Sequence, residues 1–101
     1  MKKITLAAVL LGFCVSGAFA QEGLALAKAK RCLACHQVEK KMIGPAYKDV
    51  AQRYHGDAHA ADHLAHKIQK GGSGVWGEIA MPPNNVTPEE AKTLAQWVLS
   101  L

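Results

Sequence analysis

Apolar residues fall into one nearly unbroken block at the start of the chain and four shorter stretches with helical spacing after it. The opening block, Ile4 to Phe13, is interrupted only by Thr5 and Gly12. The next stretch, Glu22 to Lys30, is rich in Ala and Leu and ends on basic residues, which suits the dipole of a short helix. Ala46 to His55 follows Gly44-Pro45, stops at Gly56 and reads as a second helix. In Ala60 to Lys70, Ala61, Leu64, Ala65 and Ile68 share one face, and Gly71-Gly72 ends the helix. The fourth has the clearest start: Thr87 as N-cap, Pro88 at the first helical position and Glu90 completing a capping box. Its apolar stripe is Ala91, Leu94, Ala95, Val98 and Leu101, flanked by Trp97. Between the third and fourth helices, Gly71 to Val86 is too rich in Gly, Pro and Asn to be regular. Loops of that length inside a compact domain are usually functional. No internal repeat or low-complexity segment appears, and the pattern is that of one all-α domain.

The opening block belongs to a different physical context from the rest. Met1-Lys2-Lys3 precedes it and Ala18-Phe19-Ala20 follows it, the pattern of a secretory signal peptide over residues 1–20 cleaved before Gln21. The block is too short for a good membrane span and no stop-transfer stretch follows, so stable membrane insertion is not expected. A rival reading makes Cys14 a lipid-attachment site, but that site wants a small residue before the cysteine and Phe13 stands there. Removing 20 of the 101 residues leaves 81, which keep 10 of the 12 Lys/Arg and all 8 Asp/Glu. The formal charge falls from +4 to +2. Export and so small an excess argue against a nucleic-acid partner. The length excludes a multidomain enzyme, a solenoid of several repeats and a large α/β cofactor fold.

The exported part holds no Phe and four aromatics: Tyr47, Tyr54, Trp76 and Trp97. So short a chain with so little core material needs a staple. The candidate is Cys32-Leu33-Ala34-Cys35-His36. A disulfide suits an oxidising compartment, but a two-residue spacer closes too small a loop to constrain the unfolded chain much. Zinc needs four ligands, and with no second cysteine pair the later histidines would have to complete the site. Covalent haem uses every residue of the motif: two thiols add to the porphyrin vinyl groups and the adjacent imidazole reaches the iron. Haem also supplies the large apolar group that the composition lacks, and it is the preferred reading.

With His36 on one side of the iron, candidates for the other are Met42, Met81, His55, His59, His63 and His66. Met42 lies six residues beyond His36 and is tied to the same side. Met81 sits in Ile79-Ala80-Met81-Pro82-Pro83-Asn84, where two prolines stiffen the chain. A single Met is most often core filling. Inside a polar, proline-stiffened loop it is better read as a ligand, because a rigid loop loses little entropy on ligation. Met81 is the predicted second ligand.

These segments together resemble the small bacterial class I cytochromes c of the cytochrome c-551 (c8) type, along essentially the whole exported part. The resemblance is carried by Cys32 to His36, Met42-Ile43-Gly44-Pro45-Ala46-Tyr47-Lys48-Asp49-Val50, Gly74-Val75-Trp76-Gly77, Met81-Pro82-Pro83-Asn84 and Leu94 to Ser100. It implies about four short helices wrapped around one haem c, thioethers from Cys32 and Cys35, and iron ligation by His36 and Met81. It further implies that the Pro45 carbonyl accepts the His36 Nδ1 proton, that Trp76 donates to a haem propionate, and that Asn84 hydrogen-bonds near the Met81 sulfur. Three departures from the family stand out. Ala27 replaces a bulky aromatic on the first helix, which predicts thinner packing against the last helix unless Leu24 and Leu26 compensate. Lys67 takes a place often held by Arg near a propionate, giving a point charge without the planar fork. Glu78 and Ala80 replace prolines beside the ligand, so the haem edge is more charged and less rigid.

Two strong axial ligands leave no open coordination position, which disfavours enzyme chemistry at the iron and favours one-electron transfer. The expectation is a periplasmic monohaem carrier, monomeric, with electrons leaving around Leu33, Met42, Ile79 and Pro82. A haem sensor or peroxidase-like protein with a labile Met81 is the rival. Redox partners such as periplasmic reductases, peroxidases, oxidases or membrane cytochrome complexes are expected to dock near Lys28, Lys30, Lys40 and Lys41. With Arg31, these residues face a single acid, Glu39, between positions 28 and 41. They are either a solvated basic face or a steering ring for acidic partners. On the third helix His59, His63 and His66 fall roughly 140–200° from the apolar stripe. They are expected on the solvent face, with a pH- or metal-responsive patch as the sharper alternative.

Overall fold

A single helix, α4 (Pro88–Leu99), organises the chain, because α1 (Val15–Ala29), α2 (Tyr47–Arg53) and α3 (Ala60–Lys70) all pack against it. The structure is a computed structural model that describes residues 15–101. The Lys-led start, the apolar block Ile4 to Phe13 and Cys14 lie outside the described residues. A 3₁₀ turn, Cys32–Ala34, follows α1, and the described residues contain no strand beyond one isolated bridge between Gly72 and Met81.

Helix α1 starts at Val15 rather than at Glu22 and runs without a break past Ala20-Gln21. A cleavage signal is read by a peptidase and is not itself a helix breaker. Nothing between Val15 and Gln21 is a proline, so the helix continues through it. The C-terminal end of α1 was placed correctly to within one residue, but its stop has no glycine. Arg31 takes the left-handed conformation at φ 62° and turns the chain into the 3₁₀ turn. Such a conformation stores on the order of 1 kcal/mol in a residue with a Cβ.

The other helices begin and end where local chemistry asks. Ala46, expected as the first residue of α2, is its extended N-cap, and the helix gives way at Tyr54. Helix α3 has the expected bounds and ends on Gly71 at φ 72°. On α4 the capping box is complete: Thr87 Oγ1 accepts from the Glu90 amide at 3.1 Å, and Glu90 Oε1 accepts from the Thr87 amide at 3.0 Å.

The core is small and gathers on one side of α4: Ala27, Tyr47, Val50, Leu94, Trp97 and Val98. Trp97, predicted at the flank of the stripe, is only 3% exposed. Leu101, predicted as the last stripe residue, lies beyond the helix and is exposed. The reason lies on α1. Gly23 leaves the surface so low that a Cβ there would sit 2.2 Å from Trp97 Cγ. One turn later Ala27 is fully buried, and Leu24 and Leu26 pack around the same cluster. The thinner helix contact expected from Ala27 is therefore filled from the other helix, by an indole lying on a small-residue surface.

Candidate functional site

The remaining face of the core opens into a cavity of about 370 Å³, within the size range of small-molecule pockets. Its walls come from five parts of the chain: Cys35 and His36, the Lys41–Pro45 segment, the α2 side through Tyr47, Val50 and Tyr54, α3 through His63, Leu64, Lys67 and Ile68, and the long loop from Gly71 to Pro82. Ala95 and Val98 of α4 line its back. Large apolar side chains stand exposed around it: Met42, Ile43, Val75, Trp76 and Ile79, with Ile79 at 71%. So much apolar surface around one opening is the mark of a wall that covers an apolar group.

His36 is the only buried charged or polar side chain among the described residues, at 8% exposure. Its Nδ1–H donates to the Pro45 carbonyl at 2.8 Å. Because a carbonyl can only accept, this bond puts the proton on Nδ1 and leaves the Nε2 lone pair free. The ring stacks on Tyr47 with centroids 4.8 Å apart and planes 20° apart. Its other neighbour is Gly44, where a Cβ would lie 2.4 Å from the ring. Backbone bonds hold the same segment: the Gly44 amide donates to Cys35 at 2.8 Å, and the Tyr47 amide to Gln37 at 2.9 Å.

Cys32 and Cys35 are both half-buried and are not bonded to each other. Cys35 lines the cavity, while Cys32 sits behind it against the core cluster. Burial pushes the Cys32 thiol above its ordinary value, partly offset by the hydrogen bond from Tyr47. Burial also raises the Tyr47 phenol, and the neighbouring Cys32 adds to the effect.

Met81 faces the cavity from the far loop. Its backbone is pinned to Gly72 by two hydrogen bonds, Met81 N to Gly72 O at 2.8 Å and Gly72 N to Met81 O at 3.0 Å. Gly71 makes this approach possible, since a Cβ there would meet the Met81 carbonyl oxygen at 2.3 Å. Asn84, expected to hydrogen-bond near the Met81 sulfur, lies outside the cavity lining. Its Nδ2 donates to Ile68 O at 2.9 Å and to Pro82 O at 3.3 Å. These bonds tie the end of the loop to the last turn of α3, whose carbonyls have no partner within the helix.

Trp76 and Lys67 both line the cavity. The Trp76 ring carries the Arg53 guanidinium 5.1 Å from its centroid. Arg53 and Tyr47 did not stand out as site residues in their own right, since each acts through a partner distant in sequence. Of the residues expected at the exit edge, Met42, Ile79 and Pro82 line the cavity, whereas Leu33 packs against the core cluster. Among the lysines expected at a docking face, Lys30 is engaged: its Nζ lies 3.5 Å from Glu90 Oε2 and 3.4 Å from Asn85 O. Glu39, the acid within the basic stretch, pairs with Lys48 at 2.6 Å.

His59, His63 and His66 are exposed, yet His63 also lines the cavity beside Tyr54. Among the described residues no group of three or more His, Cys, Asp or Glu is disposed to hold a metal ion. The donors at the apolar hollow are Cys35, the His36 imidazole and the Met81 thioether, with Cys32 just behind it. That set fits a flat macrocycle carrying iron, attached at the thiols.

Comparison with known proteins agrees. The family profile described as Cytochrome c matches residues 20–101. Cytochrome c-552 of Hydrogenobacter thermophilus is 56% identical over 103 aligned residues, covering 100% of this chain and 99% of that protein. Cytochrome c-551 of Stutzerimonas stutzeri is 55% identical with the same coverage. The crystal structure of wild-type cytochrome c552 from Nitrosomonas europaea superposes with a TM-score of 0.75 at 56% identity, covering 77% of this chain and 98% of that one.

Proposed function

The chain belongs to the cytochrome c family, and from that premise we propose that it is a periplasmic electron carrier whose haem iron is held between His36 and Met81. As a family member it carries one haem c, bound covalently through Cys32 and Cys35, and it is an electron carrier rather than an enzyme. When bound, the haem supplies a one-electron couple that thioether ligation biases toward the reduced state.

The protein's own part is orientation. The observation that carries the ligand assignment is the 2.8 Å bond from His36 Nδ1–H to Pro45, which fixes the tautomer with Nε2 free. Tyr47 on one face and Gly44 nearby keep the ring from rotating. Across the cavity Met81 is held by the Gly72 bridge and by a loop end tied to α3. Ligands held on both sides in this way move little when the charge changes, which suits a carrier. Trp76 and Lys67 offer a donor and a positive charge at the wall, suited to haem propionates.

Export rests on the Lys-led apolar start and the Ala18-Phe19-Ala20 site, supported by a family match that begins at residue 20. Cleavage after Ala20 would shorten α1 to Gln21–Ala29, which still contains Gly23 and Ala27. No helix among the described residues is long and apolar enough to cross a membrane. We assign partner docking to the exposed edge at Met42, Ile79 and Pro82, where Lys41 also lines the cavity, with Lys28 and Lys40 as further steering charges. Lys30 contributes less there because Glu90 offsets its charge.

The deciding measurement is absorption spectroscopy of protein matured in a host that attaches haem covalently. The expected result is a low-spin, six-coordinate spectrum in both oxidation states, with a Met–iron charge-transfer band that Met81→Ala abolishes. A high-spin reduced form that binds carbon monoxide readily would overturn the His36/Met81 assignment in favour of a sensor or peroxidase-like protein.

A further inference from the structure

Four histidines lie outside the Cys32–His36 motif, and only His63 lines the cavity. It is exposed to solvent on one side and faces the Tyr54 ring at 5.6 Å on another. We propose that His63 couples electron transfer to proton uptake, so that protonation of its imidazole tunes the reduction potential. The proposal rests on haem occupying this cavity, as the family assignment requires.

The sign follows from charge alone. Oxidation adds one positive charge inside the cavity, and a protonated imidazole on the wall is repelled by it. The reduced protein therefore holds the His63 proton more tightly than the oxidised protein does. Reciprocity makes the converse equally true: a proton on His63 favours the reduced state by the same factor. Because His63 is exposed and screened by solvent, the factor is small, about two- to threefold in proton affinity.

Other groups on the wall do not change charge in the same range. On α3 itself, Lys67 lines the cavity one turn further on, while His59, Asp62 and His66 do not reach it. Helix α4, packed against α3, presents only Ala95 and Val98. The α2 side presents Tyr47, Val50 and Tyr54, and the loops present Lys41 and Glu78. Lys, Tyr and Glu side chains ordinarily titrate well outside about pH 5–8, the range of imidazole. The one other imidazole, His36, is committed to Pro45 and to the iron. What competes with His63 is the haem itself, through its carboxylates, and the test must separate the two.

The test uses the haem-loaded protein. The His63 ring proton, assigned by its loss in His63→Gln, is titrated by NMR in the reduced and oxidised states. In parallel, the potential is measured from pH 5 to 9 for wild type, His63→Gln and His66→Gln. The proposal expects the His63 midpoint at higher pH in the reduced protein, corresponding to about a two- to threefold difference in proton affinity. It also expects His63→Gln to lose that part of the pH dependence and to converge on wild type at alkaline pH, with His66→Gln unchanged. Equal midpoints in the two states, or a full wild-type pH dependence in His63→Gln, overturn it and assign the dependence to the haem carboxylates. A failure of the His36/Met81 assignment would instead change the absorption spectrum of all three proteins alike.

Discussion

The His36 imidazole lies flat on the Tyr47 ring, 4.8 Å between centroids and 20° from parallel, and the Tyr47 ring meets Trp97 edge-on at 5.4 Å. The proposed iron ligand is thereby joined to the centre of the core. Tyr47 is 7% exposed, so truncation to Ala opens a hole beneath the ligand as well as in the core. Tyr47→Ala is expected to destabilise by about 3–5 kcal/mol in denaturant unfolding. Tyr47→Phe keeps the stack and loses only the contact with Cys32, at about 1 kcal/mol or less. Similar losses for the two variants would mean that the ring is not the support.

Gly23→Ala separates helix propensity from packing. Alanine is the better helix former by about 1 kcal/mol. Its Cβ, however, would stand 2.2 Å from Trp97 Cγ. Overpacking of this kind costs about 1–3 kcal/mol. The expected outcome is a net loss of stability, read from the urea midpoint, accompanied by a change in Trp97 fluorescence. A gain in stability would show that α1 does not approach α4 this closely.

The start of α4 carries a pH dependence whose sign can be stated. The backbone hydrogen bond from Thr87, aided by Lys30, holds the Glu90 carboxyl below its ordinary 4.5. A carboxylate with a depressed folded-state value stabilises fully above its unfolded value, and that stability disappears as pH falls through the folded value. Glu90→Gln retains a hydrogen-bonding side chain but cannot titrate. Its acid unfolding limb should be flatter than that of wild type below about pH 4.5. Thr87→Ala should lower stability by about 1 kcal/mol at neutral pH.

Asn84 acts on the Met81 loop through α3. Its amide donates to Ile68 O at 2.9 Å and to Pro82 O at 3.3 Å. In Asn84→Ala the loop end is released, and hydrogen exchange at the Met81 and Gly72 amides is expected to accelerate about fivefold or more, as one lost hydrogen bond of about 1 kcal/mol implies. The Met–iron band should weaken in the same variant. Exchange at wild-type rates with a weakened band would place Asn84 at the Met81 sulfur instead.

Much of this molecule was legible in its sequence because the signals are local. A capping box spans four residues, so Thr87 to Glu90 announces α4 without reference to anything else. The same holds for α3, whose apolar stripe and closing glycines set both ends. The haem motif is equally local, since two thiols and an imidazole must lie within one short turn to meet one porphyrin. Where sequence reading fell short, the deciding contact joined distant segments. Trp97 entered the core because Gly23, on another helix, leaves room for it.

The chain by itself therefore determined four helices, an irregular loop between the last two and the haem-attaching motif, all consequences of residue spacing along one short segment at a time. Tertiary structure alone decided what surrounds the proposed ligands: Tyr47 beneath His36, the Gly72 bridge behind Met81, and His63 on the cavity wall. The physical reason is one of degree. Exposure of His63 could be computed from helical angle, but its place on the wall depends on how α3 leans against α4 and how the loop returns, and no pattern within α3 encodes that.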